Sequence, residues 1–179
     1  MKSQKGFTLV EILMATAIFA IASVIISGIF INASNLQGQV SNYQKLQNDG
    51  RYIVEKIAKE IRAKDVVLVY PNNNPTSTLN FWPDELDNQI SISFDSSTKS
   101  LVYVKNGQGA SLNSLDVDVN KASFFIYPVL DPFNINSASA TPNIQPRITL
   151  LLDISNKNAP RYKKELIFQT TISSRNYMR

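Results

Sequence analysis

From Phe7 to Ile31 the chain carries a single formal charge, Glu11, and this apolar run constrains the fold more than anything else in the sequence. At about 1.5 Å of rise per residue a helix over this stretch is long enough to cross a bilayer core of about 30 Å. A membrane segment is the first reading. An ionised side chain near the centre of such a segment costs roughly 2.5–3.5 kcal/mol on insertion scales, so a retained acid should have a partner. No Lys, Arg or His lies between Phe7 and Ile31. The nearest candidate cation is a free amine at Phe7, which exists only if the chain is cut after Gly6.

A short basic leader ending in Lys5-Gly6, then Phe7-Thr8-Leu9-Val10-Glu11 and an uninterrupted apolar helix, resembles the signal of type IV prepilins and type II secretion pseudopilins. The resemblance implies cleavage between Gly6 and Phe7 by a membrane prepilin peptidase, N-methylation of Phe7 by the same enzyme, and a role for Glu11 in setting the register of subunits in a filament. The partners it implies are that peptidase, other pilin or pseudopilin subunits and an inner-membrane assembly platform. No cofactor is implied. Many members carry a proline near the end of the apolar segment, where this chain has Gly28, so a less obligatory kink is expected.

Two plainer readings compete. Lys2 and Lys5 ahead of an apolar stretch, with Ala15-Thr16-Ala17 or Ala20-Ile21-Ala22 as a small-x-small site, read as an ordinary secretory signal with a mature start near Ser23. That reading puts Glu11 inside the apolar region of the signal, where a charge is unfavourable. A single-pass anchor for a binding or adhesion module explains the length of the run but neither Gly6-Phe7 nor Glu11. The basic leader places residues 1–6 on the cytoplasmic side and the rest outside, by the excess of positive charge on inner flanks.

Losing Lys2 and Lys5 with the leader takes the formal charge from +4 to +2, too mild to argue for nucleic acid. There is neither cysteine nor histidine. Without them the commonest nucleophile–base pairs and zinc sets cannot be assembled, and the chain is read as a non-enzyme.

Beyond Ile31 the helical pattern continues. Leu36, Val40, Tyr43, Leu46, Ile53, Ile57 and Ile61 recur on one stripe, with Lys45, Asn48, Arg51, Glu55, Lys59 and Arg62 largely off it. No proline occurs before Pro71, so one helix from about Phe7 to about Lys64, on the order of 85 Å long, is possible. Gly28, Gly38 and Gly50 are expected weak points, each costing about 1 kcal/mol against Ala.

After Asp65 the pattern alternates. Runs at 66–70, 78–82, 90–94, 101–105, 115–119, 123–127, 147–154 and 166–173 read as strands, and Ile90–Phe94 with Leu101–Lys105 is the clearest hairpin. The expected fold is α+β and pilin-like: a leader (1–6), a membrane or filament-core half-helix (7–31), an amphipathic half-helix (32–65) and a β-rich domain (66–179) whose antiparallel sheet packs on the second half-helix. Arg51-Tyr52-Ile53-Val54, Pro146–Leu150 and Phe168–Asn176 add a likeness to J-type minor pseudopilins and W-type minor pilins. Pro71–Ser77 and Pro128–Pro146 are expected to be surface excursions.

Asp84, Glu85 and Asp87 beside Trp82 offer hard oxygens for Ca²⁺, but lack the spaced pattern of a dedicated loop and read better as a solvated turn. Asp116, Asp118 and Asp153 read as the wet face of strands rather than as an acid–base pair. Arg161, Lys163, Lys164, Arg175 and Arg179, interleaved with Tyr162 and Tyr177, could touch DNA phosphates if the filament were a competence pilus; edge-strand lysines that block sheet-to-sheet association explain them more cheaply.

Overall fold

A computed structural model of the chain describes residues 6–63, 66–83, 89–132, 144–157 and 163–174. Lys2 and Lys5, the candidate calcium residues Asp84, Glu85 and Asp87, residues 133–143 of the second loop, and Arg161, Tyr162, Arg175, Tyr177 and Arg179 lie outside them. Helix α1 runs Leu9–Ile61. Among the described residues eight strands follow: β1 (Val66–Val69), β2 (Thr78–Pro83), β3 (Ile90–Asp95), β4 (Ser100–Lys105), β5 (Gln108–Ser111), β6 (Val117–Tyr127), β7 (Arg147–Asn156) and β8 (Glu165–Ser173). One long apolar amino-terminal helix followed by antiparallel sheets is an α+β, pilin-like architecture. The chain divides into two units at Ser41/Asn42.

In the first unit the large apolar side chains of α1 are exposed, from Leu9 to Ile31 and on through Leu36 and Val40. Its hydroxyls are satisfied within the helix: Thr16 donates to Leu13 O at 2.9 Å, Ser23 to Phe19 O and Ser27 to Ser23 O, both at 2.8 Å. Hydroxyls bonded to the helix's own carbonyls can sit in hydrocarbon without an external partner. The helix is long and apolar enough to cross a membrane.

The second unit has its own core. Leu46, Ile53, Ile57 and Ile61 of α1 join Leu79, Phe81, Ile92 and Leu101 of the first sheet and Phe124, Ile148, Leu150, Leu152 and Ile154 of the second in one buried cluster. The expected stripe is therefore buried from Leu46 onward. Where a single sheet was expected there are two, β1-β2-β3-β4-β5 and β6-β7-β8. The Pro71–Ser77 segment explains the division. It is exposed over residues 72–75, as expected, and also touches the edge of β6: Thr76 and Phe124 exchange backbone hydrogen bonds of 2.9 and 2.8 Å. Asn74 extends the pairing with its amide, donating to Ile126 O at 2.7 Å and accepting from Ile126 N at 3.1 Å. The Thr76↔Phe124 bridge is isolated, and Lys99 O accepts from Val119 N at 2.8 Å, so the β6 edge is met at separate points and not by a continuous strand.

The 115–119 and 123–127 runs are one strand, continued through a register irregularity between Val119 and Lys121. Leu115 and Asp116 lie outside it, Leu115 being 91% exposed. β5 was not expected; it pairs with β4 across a two-residue turn, Asn106-Gly107, with both φ angles positive (54° and 75°). Positive φ at both central positions is the requirement of a tight hairpin turn.

At the end of α1, Glu60 is 8% exposed. Lys56 Nζ lies 3.0 Å from its carboxylate and Tyr103 Oη donates to it at 3.0 Å, while Lys56 also sits 4.7 Å above the Tyr103 ring. Burial, and then the acceptor Glu60, push the Tyr103 hydroxyl up to about 12. Glu60→Ala should cost about 1–2 kcal/mol in denaturant unfolding, because it strips the phenol and the ammonium of their shared acceptor. An unchanged midpoint would show that the three side chains do not act together.

In the β3–β4 turn, Asp95 accepts from the Ser97 hydroxyl (2.6 Å), the Thr98 hydroxyl (2.8 Å) and the Ser97 amide (2.9 Å). These bonds lower its pKa from 3.8 to about 2. A carboxyl depressed in the folded state adds stability that is present above its unfolded value and lost as pH falls through the folded one. The stability gap between the wild type and Asp95→Asn should therefore be constant above about pH 5 and narrow toward pH 2; a gap that does not change with pH contradicts the turn's dependence on the ionised form.

Candidate functional site

Two features of local sequence start α1 where it starts. Thr8 is the residue before the first helical position, and its carbonyl accepts the first helical bond from Ile12 N at 3.3 Å. Glu11 stands three residues later. Its Oε2 accepts from the Thr8 amide at 2.8 Å and from the Thr8 hydroxyl at 3.0 Å, while the Glu11 amide donates to Thr8 Oγ1 at 3.2 Å. This reciprocal pattern is a capping box, which satisfies amides that a helix start leaves unpaired. The carboxylate also sits at the positive end of the helix dipole.

Gly6 and Phe7 consequently stay outside the helix, exposed and non-helical, one residue ahead of the cap. The start at Leu9 instead of Phe7 has the same cause. Glu11 shares an open, mainly apolar depression with Phe7, Ile12, Ala15, Thr16 and Phe19. Phe7 before the cap and Ile12 at the fourth helical position are the two places where apolar side chains fix the angle at which a chain enters a helix.

The only partner the sequence suggests for Glu11 is a free amine at Phe7, in the same subunit or a neighbour; the uncut chain gives it Thr8 as a donor. Glu11 is thus not a bare charge in mid-span, and the full mid-helix insertion cost does not apply. Its partner atoms are neutral donors, however, so the site keeps its negative charge and can take a cation as well. A peptide cut between Gly6 and Phe7 creates such a cation directly before the cap.

The other candidates are not brought together. Asp116 pairs with Lys45 at 3.1 Å, Asp118 with Lys99 at 3.8 Å, and Asp153 accepts from Asn120 at 3.3 Å. Among the described residues no group of three acidic, His or Cys side chains is placed to hold a metal. Lys163 and Lys164 immediately precede β8 rather than lying on it.

The sequence model of one family, described as the prokaryotic N-terminal methylation motif, matches residues 1–27. No curated protein gives a match. No solved structure gives one either. The matched residues contain Gly6, Phe7, Thr8 and Glu11, and the chain carries the amino-terminal motif of type IV pilin-like precursors.

Proposed function

We propose that this chain is a minor pilin or pseudopilin, a structural subunit cut by prepilin peptidase between Gly6 and Phe7, methylated at Phe7 and assembled through α1 into a type IV pilus or type II secretion filament. The observation that carries the reading is the Thr8–Glu11 cap standing directly behind an exposed Gly6–Phe7 bond and ahead of an apolar helix whose first unit buries none of its apolar side chains. J-type pseudopilins and W-type pilins are the subclasses we favour.

Cleavage breaks the Gly6–Phe7 amide and leaves an ammonium on Phe7. Methylation keeps that charge. The cation and the Glu11 carboxylate can then pair within one chain or between neighbours stacked along a filament. Pairing between neighbours fixes axial register, because shifting one subunit strands both charges in an apolar core. The exposed run from Phe7 to Ile31 leaves lipid only for the apolar surface of other subunits, so extraction into a filament keeps it out of water.

Fractionation tests the reading. In cells with a functional assembly machine the chain should be recovered in sheared filaments as well as in membranes. A chain found only in membranes points to a simple anchored module, and one found only in the soluble extracytoplasmic fraction points to a conventional secretory signal. Either outcome overturns the proposal.

A further inference from the structure

The geometry points to a hinge inside α1: we propose that residues 32–41 form a segment whose backbone hydrogen bonds open and close while the helix on either side stays intact. The two flanks are held by different surroundings. Up to Ile31 the run is apolar, and in hydrocarbon an opened amide or carbonyl finds no water to replace its partner. From Asn42 onward α1 belongs to the second unit, where Leu46, Gly50, Ile53 and Ile57 are buried. Asn156, 6% exposed at the end of β7, donates from Nδ2 to Asn42 O at 3.3 Å. That carbonyl also takes the helical bond of Leu46, four residues on. The clamp therefore stands at the first residue of the second unit.

The ten residues between have neither support. None of them is buried, and their side chains make no hydrogen bond or ion pair with the rest of the described residues. No charged residue lies between Glu11 and Lys45, so no ion pair one turn apart braces the segment. Asn32, Ser34, Asn35, Gly38, Val40 and Ser41 are all weak helix formers, Asn and Ser because their side chains compete for backbone hydrogen bonds and Val because its side chain loses rotamer freedom. In water a helical stretch this short depends on packing, and here it has none.

Gly38 carries the inference furthest, because its surroundings set it apart from the other glycines of α1. Gly50 leaves room for the Phe168 ring, and Gly28 lies within the apolar run. A Cβ at Gly38 would meet nothing, so no close approach calls for glycine there. What glycine supplies at this position is a backbone that leaves the helix easily. The apolar run and the second unit can then move as separate bodies, each keeping its own helical bonds.

Amide exchange on the full-length chain in lipid nanodiscs tests this. The amides of residues 36–41, whose helical acceptors are the carbonyls of residues 32–37, should be protected by less than about a hundredfold over a free peptide, and those of residues 53–61 by at least about ten-thousandfold. Gly38→Ala should slow exchange at residues 36–41 by about fivefold, the difference in helix propensity between the two residues, and leave the second unit's unfolding midpoint in place. Asn156→Ala should speed exchange of the Leu46 amide by about tenfold, because its acceptor, Asn42 O, loses the clamp. Residues 36–41 as protected as residues 53–61, a Gly38→Ala chain with unchanged rates or a shifted midpoint, or a Leu46 amide indifferent to Asn156→Ala each overturn the proposal. Should Asn156→Ala fail to fold, the unaltered chain and Gly38→Ala still decide. The hinge shares with the proposed function only the lodging of the apolar run in a bilayer, and its readout does not use the mature amino terminus, so the two proposals fail separately.

Discussion

Replacing Glu11 by Val should reduce recovery of the protein in sheared filaments by at least about tenfold, the cost expected for leaving a buried charge unpaired, while the leader is still removed and the protein still reaches the membrane. Glu11→Gln separates the two roles of the side chain. Glutamine can reach back to the Thr8 amide and complete the capping box, but it offers no charge to a cation. If register depends on the ion pair, Glu11→Gln should be lost from filaments almost as completely as Glu11→Val. If Glu11 serves only to start the helix, Glu11→Gln should assemble normally and Thr8→Ala should be as defective as Glu11→Val. Assembly of Glu11→Val at wild-type levels would remove the carboxylate from the mechanism altogether.

Gly50→Val should destabilise the second unit by about 1–3 kcal/mol, the range of overpacking in a filled core. A Cβ at Gly50 would run into the Phe168 ring of β8, whose Cε2, Cζ and Cδ2 atoms occupy its place. Glycine in a helix interior costs about 1 kcal/mol against Ala, so its presence here is a net expense unless the ring needs the space. Paired variants settle this. Gly50→Ala alone should lower stability in spite of its better helix propensity, whereas in a Phe168→Ala background the same change should raise it by up to about 1 kcal/mol. Gly28→Ala meets no neighbour and should leave the second unit's unfolding midpoint in place. A stabilising Gly50→Ala in the wild-type background would mean that Phe168 moves aside freely.

Gly50 also shows where sequence reasoning stops. Within α1 it looks like a weak point, because the ring that requires it is supplied by β8, far along the chain, and no local pattern announces the pairing. The stripe Leu46, Ile53, Ile57, Ile61 and the hairpin Ile90–Phe94 with Leu101–Lys105 are legible, since each is a short-range period in apolar residues. The break between the two sheets is not, for it depends on Asn74 and Thr76 reaching the β6 edge from a segment that composition marks as a loop. β5 has no apolar period at all, Gln108 to Ser111 being exposed throughout. Its signal lay in the turn: Asn106-Gly107 is a strong marker of a two-residue hairpin. At the amino terminus the Thr8-x-x-Glu11 spacing is itself a readable capping box, and a search for cations alone passes over it. Lys163 and Lys164 stand just ahead of β8 and not on it, with Lys163 paired to Glu165 at its start.

The central claim is that the negative site made by Thr8 and Glu11 meets a new positive terminus when six residues are removed. Mass spectrometry of the amino-terminal peptide, on protein isolated from cells that possess the processing enzyme, tests it most directly. The account predicts a peptide beginning at Phe7 and heavier by one methyl group. A peptide beginning at Met1, or one beginning near Ser23, would contradict it.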